Sequence, residues 1–254
     1  MKEKAMCYTE DEQIIRLWDV ENVRHTMDRL SYYLANGEGR RAVSELWVTG
    51  ADRRRTASLG VNTGYYKGLD EVVRHLVVDQ NERDYENLRA RSEADPSIAV
   101  NNLNLGYGNA AMMTMTTPVI KISDDGQYAQ FMGYYIAYSI EGKPDRTADA
   151  YQLFGRAMAD LVKEEDGSWR IWHLIFAHDH TVECGSNYAD FPVAGWPEPI
   201  APHFGEPTEK RTVYDAFFGW EFCATDMPKE NYYTYTDKQG YGPDSDIGRP
   251  YYER

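Results

Sequence analysis

The sequence lacks any apolar run approaching the roughly 18–20 residues that a bilayer-spanning helix requires. Its first residues, MKEKAMCYTEDEQ, carry no apolar stretch of the kind that marks a secretory leader. A soluble, cytoplasmic chain is therefore expected. Basic charge is also scarce: 27 Lys and Arg stand against 41 Asp and Glu, a formal net charge of −14. Nucleic acid and anionic membrane surfaces both demand basic patches, so neither is expected as a partner. Cysteine is limited to Cys7, Cys184 and Cys223, widely spaced and odd in number, which fits neither a disulfide framework nor a zinc site. What the chain does have is apolar mass, 42% of its 254 residues, enough to bury a core.

The order along the chain is helix, then sheet, then tail. Glu10–Asn36 places Leu17, Val20, Val23, Met27, Leu30 and Leu34 at spacings of three and four, one face of a helix. Thr9 is the expected N-cap, Glu12 completes a capping box and Gly37 stops the helix. A short helix is expected over Ala42–Trp47, then a glycine-punctuated stretch SLGVNTGYYKG, then another helix over Leu69–Val78. Four long amphipathic segments dominate the rest: Met112–Ile122, Gln127–Ile140, Ala150–Lys163 and Trp169–Glu183. They are rich in β-branched and aromatic residues, and SDDG and EEDGS separate the outer pairs, the signature of long antiparallel hairpins. Strands this long must curl, so the expected fold is α+β: a cone-shaped antiparallel sheet with helices on its concave side. The expected division is a domain over residues 1–184, with a charged and Asn/Gly-rich insertion at 79–111 capping or lining the mouth, and an extended arm over 185–254. That arm holds Pro192, Pro197, Pro199, Pro202 and Pro207 and many tyrosines, and is expected to wrap its own domain or a neighbouring subunit. A homodimer or homotrimer follows as the expected assembly.

The Tyr32–Tyr33 pair, the segment GVNTGYYKG, and above all TTPVIKISDDGQYAQF and VKEEDGSWRIWH resemble the SnoaL-like branch of the nuclear transport factor 2 superfamily. The resemblance covers roughly residues 10–183. It implies the cone fold. Scytalone dehydratase, ketosteroid isomerase and bile acid 7α-dehydratase are enzymatic members, working on apolar ring compounds by acid–base chemistry with no cofactor. Dehydratase members carry a histidine at the position that the TTP motif aligns with Met113, an aspartate or second histidine across the sheet, and often an arginine on the last strand. Here the partner position falls near Ile136 or Tyr138, and the arginine position near Leu174. None of these carries the group that the resemblance implies.

Strand alternation sorts the remaining residues. A two-residue turn at Asp166-Gly167 pairs residues whose numbers sum to 333, so Gly155, Ala157, Ala159 and Leu161 face His178, Phe176, Leu174 and Trp172 across one wall. Small residues opposite large ones leave room for a ligand. Asp160, Met158 and Arg156 then face His173, Ile175 and Ala177 on the other side. A two-residue turn at Asp125-Gly126 likewise puts Met113 near Tyr138, Met115 near Ile136 and Thr117 near Tyr134.

His178 is the expected proton-transfer group, an imidazole able to act near neutral pH beside aromatic walls, or else a rim residue with a hydrogen-bonding role alone. Tyr32 and Tyr33 are expected to close the first helix with a phenol aimed at a substrate carbonyl, or as core anchors. Tyr134, Tyr138, Trp172, Phe176, Leu174 and Met113 are the expected substrate-binding wall. Asp160 and His173 form a second constellation, a carboxylate orienting an imidazole. On this face assignment they brace the outer face; with the faces exchanged they would be catalytic. His178 and His180 could chelate a metal only with a third converging ligand, so no metal is expected. LGYGNAA lacks the strand–turn–helix setting of a dinucleotide site, and no cofactor is expected. The function these residues point to is a cofactor-independent dehydratase-type lyase or isomerase for an aromatic, polycyclic or steroid-like molecule. The alternative is a non-catalytic small-molecule binder or inactive partner subunit of the same fold.

Overall fold

Thr9 and Glu12 start the first helix as the sequence predicts. The Thr9 hydroxyl accepts from the Glu12 amide at 3.3 Å, and the Glu12 carboxylate accepts from the Thr9 amide at 2.7 Å. The computed structural model describes residues 8–61, 64–143, 145, 147–185, 205–210 and 235–245. In it α1 spans Glu10–Ala35, and Gly37, at φ +69°, turns the chain away. Val23, Met27 and Leu30 are fully buried, whereas Leu17, expected on the same stripe, is 68% exposed. Truncating Met27 or Leu30 to Ala would cost about 2–5 kcal/mol. Asp19, buried on this helix, fixes it to the sheet by accepting from Lys163 Nζ at 2.8 Å and the Trp169 indole at 2.9 Å.

Two short helices follow: α2 at Gly39–Leu46, three residues ahead of its expected start, and α3 at Ala51–Thr56. The glycine-punctuated stretch forms a hairpin of β1, Ser58–Val61, and β2, Gly64–Lys67. The helix expected over Leu69–Val78 is α4, Leu69–Val73, which widens into a π-helical turn over Arg74–Asp79 and continues as α5, Gln80–Ala94. About half of the expected insertion at 79–111 is therefore helical. Arg91 on α5 ties it to the far end of the sheet by donating to the Gly142 carbonyl from Nε at 2.8 Å and to the Asn109 side chain at 2.7 Å.

The four long segments are β3, Asn109–Ile122; β4, Tyr128–Gly142; β5, Ala148–Lys163; and β6, Trp169–Glu183. With β7, Glu209–Lys210, they complete a seven-stranded curled sheet in the order β3-β4-β5-β6-β1-β2-β7. One pairing departs from the expected antiparallel pattern. Strand β1 runs parallel to β6, because the chain leaving α3 travels in the direction of the last long strand. The helices and the sheet's concave face enclose one core, to which Trp47, Phe131, Tyr135, Leu161 and Leu174 belong.

The described parts of the arm lie on the chain's own sheet. Thr208 accepts from the Lys67 amide and donates to the Tyr65 carbonyl, both at 2.8 Å, beside the β2–β7 pairing. Residues 235–245 cover the outer face, where Tyr241 packs with Tyr65, Met158, Ile175 and Ala177. The remainder of the expected arm, 186–204, 211–234 and 246–254, lies outside the described residues. Among the described residues, no helix is long and apolar enough to cross a membrane.

Candidate functional site

Three β-bulges decide which side chains reach the concave face. Near its turn, β3 pairs with β4 in the expected register, Ile122 with Ala129 and Ile120 with Phe131. Pro118 cannot donate to the ladder, and Thr117 adopts φ +47°. The strand bulges there, and from Thr116↔Tyr134 outward the register is shifted by one. Met113 therefore opposes Ala137, and Tyr135, not Tyr134, joins the concave core.

On β6 a bulge at Trp172 sets Asp160 against His173 and Ala159 against Leu174. Phe176 opposes Ala157 and His178 opposes Gly155, as the sequence predicts. A second bulge at Asp179 then pairs His180 with Phe154 and Thr181 with Leu153. The period-two alternation of the strand is broken there. Thr181 becomes the next residue after His178 on the concave face.

The chemical centre of that face is a Tyr135–His178 pair. The Tyr135 hydroxyl is hydrogen-bonded to Nδ1 of His178, with the rings edge to face at 5.7 Å and 85°. Phe176 meets Tyr135 the same way, 5.5 Å between centroids at 83°. Met113, Met115 and Leu153 pack into the same core. His178 as a residue keeps some exposure, yet its ring is enclosed, and burial pushes its pKa down to about 4. Burial, and secondarily the charge of Asp179, pushes the Tyr135 phenol well above its ordinary value. At neutral pH both groups are uncharged, so one proton serves their shared bond. If Nδ1–H donates to the phenol oxygen, Nε2 offers a lone pair and the phenol proton is free for a ligand. If the phenol donates to Nδ1, Nε2 carries the proton. The pair can thus act as a base beside the phenol donor, or as an Nε2–H donor beside the phenol oxygen as acceptor.

The other expected site residues distribute as follows. Leu174 lies on the concave face but is fully buried in the core. Tyr32 is 70% exposed and does not enter the cone. Tyr33 donates to Glu45 at 2.6 Å and accepts from Arg29 at 2.8 Å, a surface network in place of a substrate contact. Tyr134 and Tyr138, 52% and 37% exposed, stand on the outer face, because the alternation along β4 turns Ala129, Phe131, Tyr135 and Ala137 inward. Trp172, inside its bulge, stacks on His173 at 4.2 Å and donates to the Thr56 hydroxyl at 2.9 Å. The signal for Tyr135, which the sequence reading passed over, was its even spacing from Ala129 and Phe131 along β4, with the proline in mid-β3 marking the register shift against Met113.

Asp160 and His173 are paired on the outer face, Oδ2 to Nδ1 at 2.8 Å, and both are buried. What covers them is the chain's own residues 235–245. The Tyr241 amide donates to Asp160 at 2.6 Å, and a Cβ at Gly242 would lie 2.9 Å from the His173 ring. Gln130 bridges Asp160 Oδ1 at 3.2 Å and the Gln239 carbonyl at 2.8 Å. Among the described residues, no three His, Cys, Asp or Glu side chains converge as a metal site would require.

No family profile and no curated protein matches the chain. Solved structures do resemble it. An NTF2-like protein with a cystatin-like fold from Novosphingobium aromaticivorans shares 14% identity at a TM-score of 0.42, over 70% of this chain and 90% of that one. An NTF2-like superfamily protein from Salmonella enterica shares 11% at 0.45, over 68% and 99%. A type 2 hexachlorocyclohexane dehydrochlorinase (LinA) shares 10% at 0.47, over 69% and 95%. The chain itself has an α+β fold, with a long capped helix, the β1–β2 hairpin and four curled strands closed around one helix-lined face.

Proposed function

We propose that the concave face is the active site of a cofactor-independent lyase, of dehydratase type, or isomerase, acting on an aromatic, polycyclic or steroid-like compound. The observation that carries this reading is the neutral Tyr135–His178 pair set among Phe176, Met113 and Met115. A base held neutral by burial is available at every pH above its depressed pKa, and a protonated phenol beside it donates without needing to ionise. His178 Nε2 would remove a proton from the carbon next to a carbonyl, while the Tyr135 hydroxyl donates to the oxygen as it becomes an enolate. The imidazolium then returns that proton, either to a departing β-hydroxyl, releasing water, or to the γ-carbon, moving the double bond. The oxidation state is unchanged, so no redox partner is needed.

A second reading has its own observation. Met113 occupies the concave position at which the SnoaL-like resemblance implies a histidine, so a binding protein or inactive subunit of the same fold is the alternative. A cytoplasmic homodimer or homotrimer without nucleic-acid or membrane partners completes the proposal. A thermal-shift screen of phenols, fused-ring ketones and steroids, followed by mass spectrometry of each hit, tests it. Conversion of a β-hydroxy or β,γ-unsaturated ring ketone supports the enzyme. Ligands that bind and emerge unchanged favour the binder.

A further inference from the structure

Thr181 is 7% exposed, and its hydroxyl is buried with no hydrogen-bond partner among the described residues. A hydroxyl buried unpaired is unfavourable against the same group in water, and a Val of the same shape would avoid that cost. The register shows which way it faces. The bulge at Asp179 sets Thr181 opposite Leu153, whose side chain belongs to the concave core, and His178 opposite Gly155 on the same face. Thr181 thus stands one strand repeat beyond His178, roughly 6.6–6.8 Å along β6. The wall between them is Leu153 and the side-chain-free Gly155.

We propose that Thr181 is a specificity-determining residue, whose hydroxyl takes a second polar substituent at the far end of a fused-ring ligand held at Tyr135–His178. The inference rests on the reading of the concave face as a ring-binding site, and adds that the ligand carries oxygen at both ends. The spacing of the two polar points is of the order of a fused bicycle and exceeds a single carbonyl. A hydroxyl both donates and accepts, so it recognises either an alcohol or a ketone there. Discrimination of this kind is strong, because an analogue without the second oxygen leaves the buried hydroxyl unpaired.

The test uses the full chain with 2-naphthol and 2,6-dihydroxynaphthalene as probes in isothermal titration calorimetry. The diol should bind at least tenfold more tightly than the mono-ol. Thr181→Val should abolish that advantage without weakening 2-naphthol, and Thr181→Ser should retain it. The ligand-free melting temperature supplies an independent sign. Thr181→Val should raise it by roughly 2–4 °C, since only a buried unpaired hydroxyl is lost. A fall in melting temperature, or a diol preference that survives Thr181→Val, overturns this proposal and leaves the ring-binding reading standing. Failure of the parent protein to bind 2-naphthol, or binding indifferent to Tyr135→Phe, overturns that reading and this inference with it.

Discussion

Gly155 faces Tyr135 across adjacent strands, and only a hydrogen at that position leaves room for the phenol. A Cβ there would lie 2.7 Å from Tyr135 Cε1 and would also collide with the Ala177 carbonyl. The glycine is thus the space into which the tyrosine leans to reach His178. Gly155→Ala should destabilise the fold by about 1–3 kcal/mol, the usual cost of overfilling a packed core. It should also displace the Tyr135 ring, so ligand affinity falls together with melting temperature. An alanine variant that melts like the parent and binds normally would show that the glycine is incidental.

The two members of the central pair should separate kinetically. His178→Ala removes the proton acceptor and is expected to lower turnover by roughly 10²–10⁴-fold with folding intact. Tyr135→Phe keeps the ring and deletes one donor to developing charge, for an expected loss of about 10²–10³-fold. Because the two share a hydrogen bond, the double variant should fall well short of the product of the single losses. Multiplicative losses in steady-state assays would mean that the residues act independently, against the joint role drawn for them.

Much of the fold was legible because its signals are local. A capping box, apolar residues at helical spacing and two Asp-Gly turns need no tertiary context, and Gly126 and Gly167 do adopt positive φ, +69° and +81°. The site was half legible. The expected β5–β6 pairing holds from Asp160↔His173 to Gly155↔His178, but the strands leave their turn with Leu161 opposite Ile171, and the bulge at Trp172 brings in the expected register. On β3–β4 the outcome is reversed, correct beside the turn and shifted beyond Pro118. Bulges are set by packing as much as by sequence, and each one exchanges the two faces for everything downstream. The bulge on β3 sets Met113 and Met115 against Ala137 and Tyr135, whereas an unbroken register would have set Met113 against Tyr138. That is why Tyr134 and Tyr138 were expected inside and Tyr135 was not. Burial of the Asp160–His173 pair under residues 235–245 depends on a contact about 80 positions away, beyond any local pattern.

The pair under the arm should behave as structure. Asp160→Asn keeps the shape but weakens the bonds to His173 and the Tyr241 amide, for an expected loss of about 1–3 kcal/mol. Hydrogen exchange at the Tyr241 amide should quicken, because that proton is held by Asp160 Oδ2. Ligand binding on the concave face should be unchanged. Gly242→Ala, which pushes a methyl at the His173 ring, should reproduce the faster exchange. Loss of turnover in well-folded Asp160→Asn, with exchange at Tyr241 unaltered, would reassign the pair to catalysis.

Acid should destabilise the protein earlier than carboxylate titration alone would bring about. Burial lowers both His75, stacked on Tyr66 at 4.2 Å, and His178 to about 4, from an ordinary value near 6.5. Between these limits the unfolded chain binds protons at both histidines and the folded chain does not, so stability falls as pH drops from about 6.5 to about 4 and levels off for these groups below that. The span sets an upper bound of about 3 kcal/mol for each histidine, reduced by whatever solvent reaches the partly exposed residues. Replacing His75 with Phe removes one titration and should flatten the melting-temperature profile across this window, leaving the profile above pH 7 unchanged in shape. Turnover should keep its acid limb near 4 in that variant, because the limb belongs to His178. An acid limb near 6.5 in the parent protein would mean that the imidazole is solvated in solution, and the neutral pair would have to be given up.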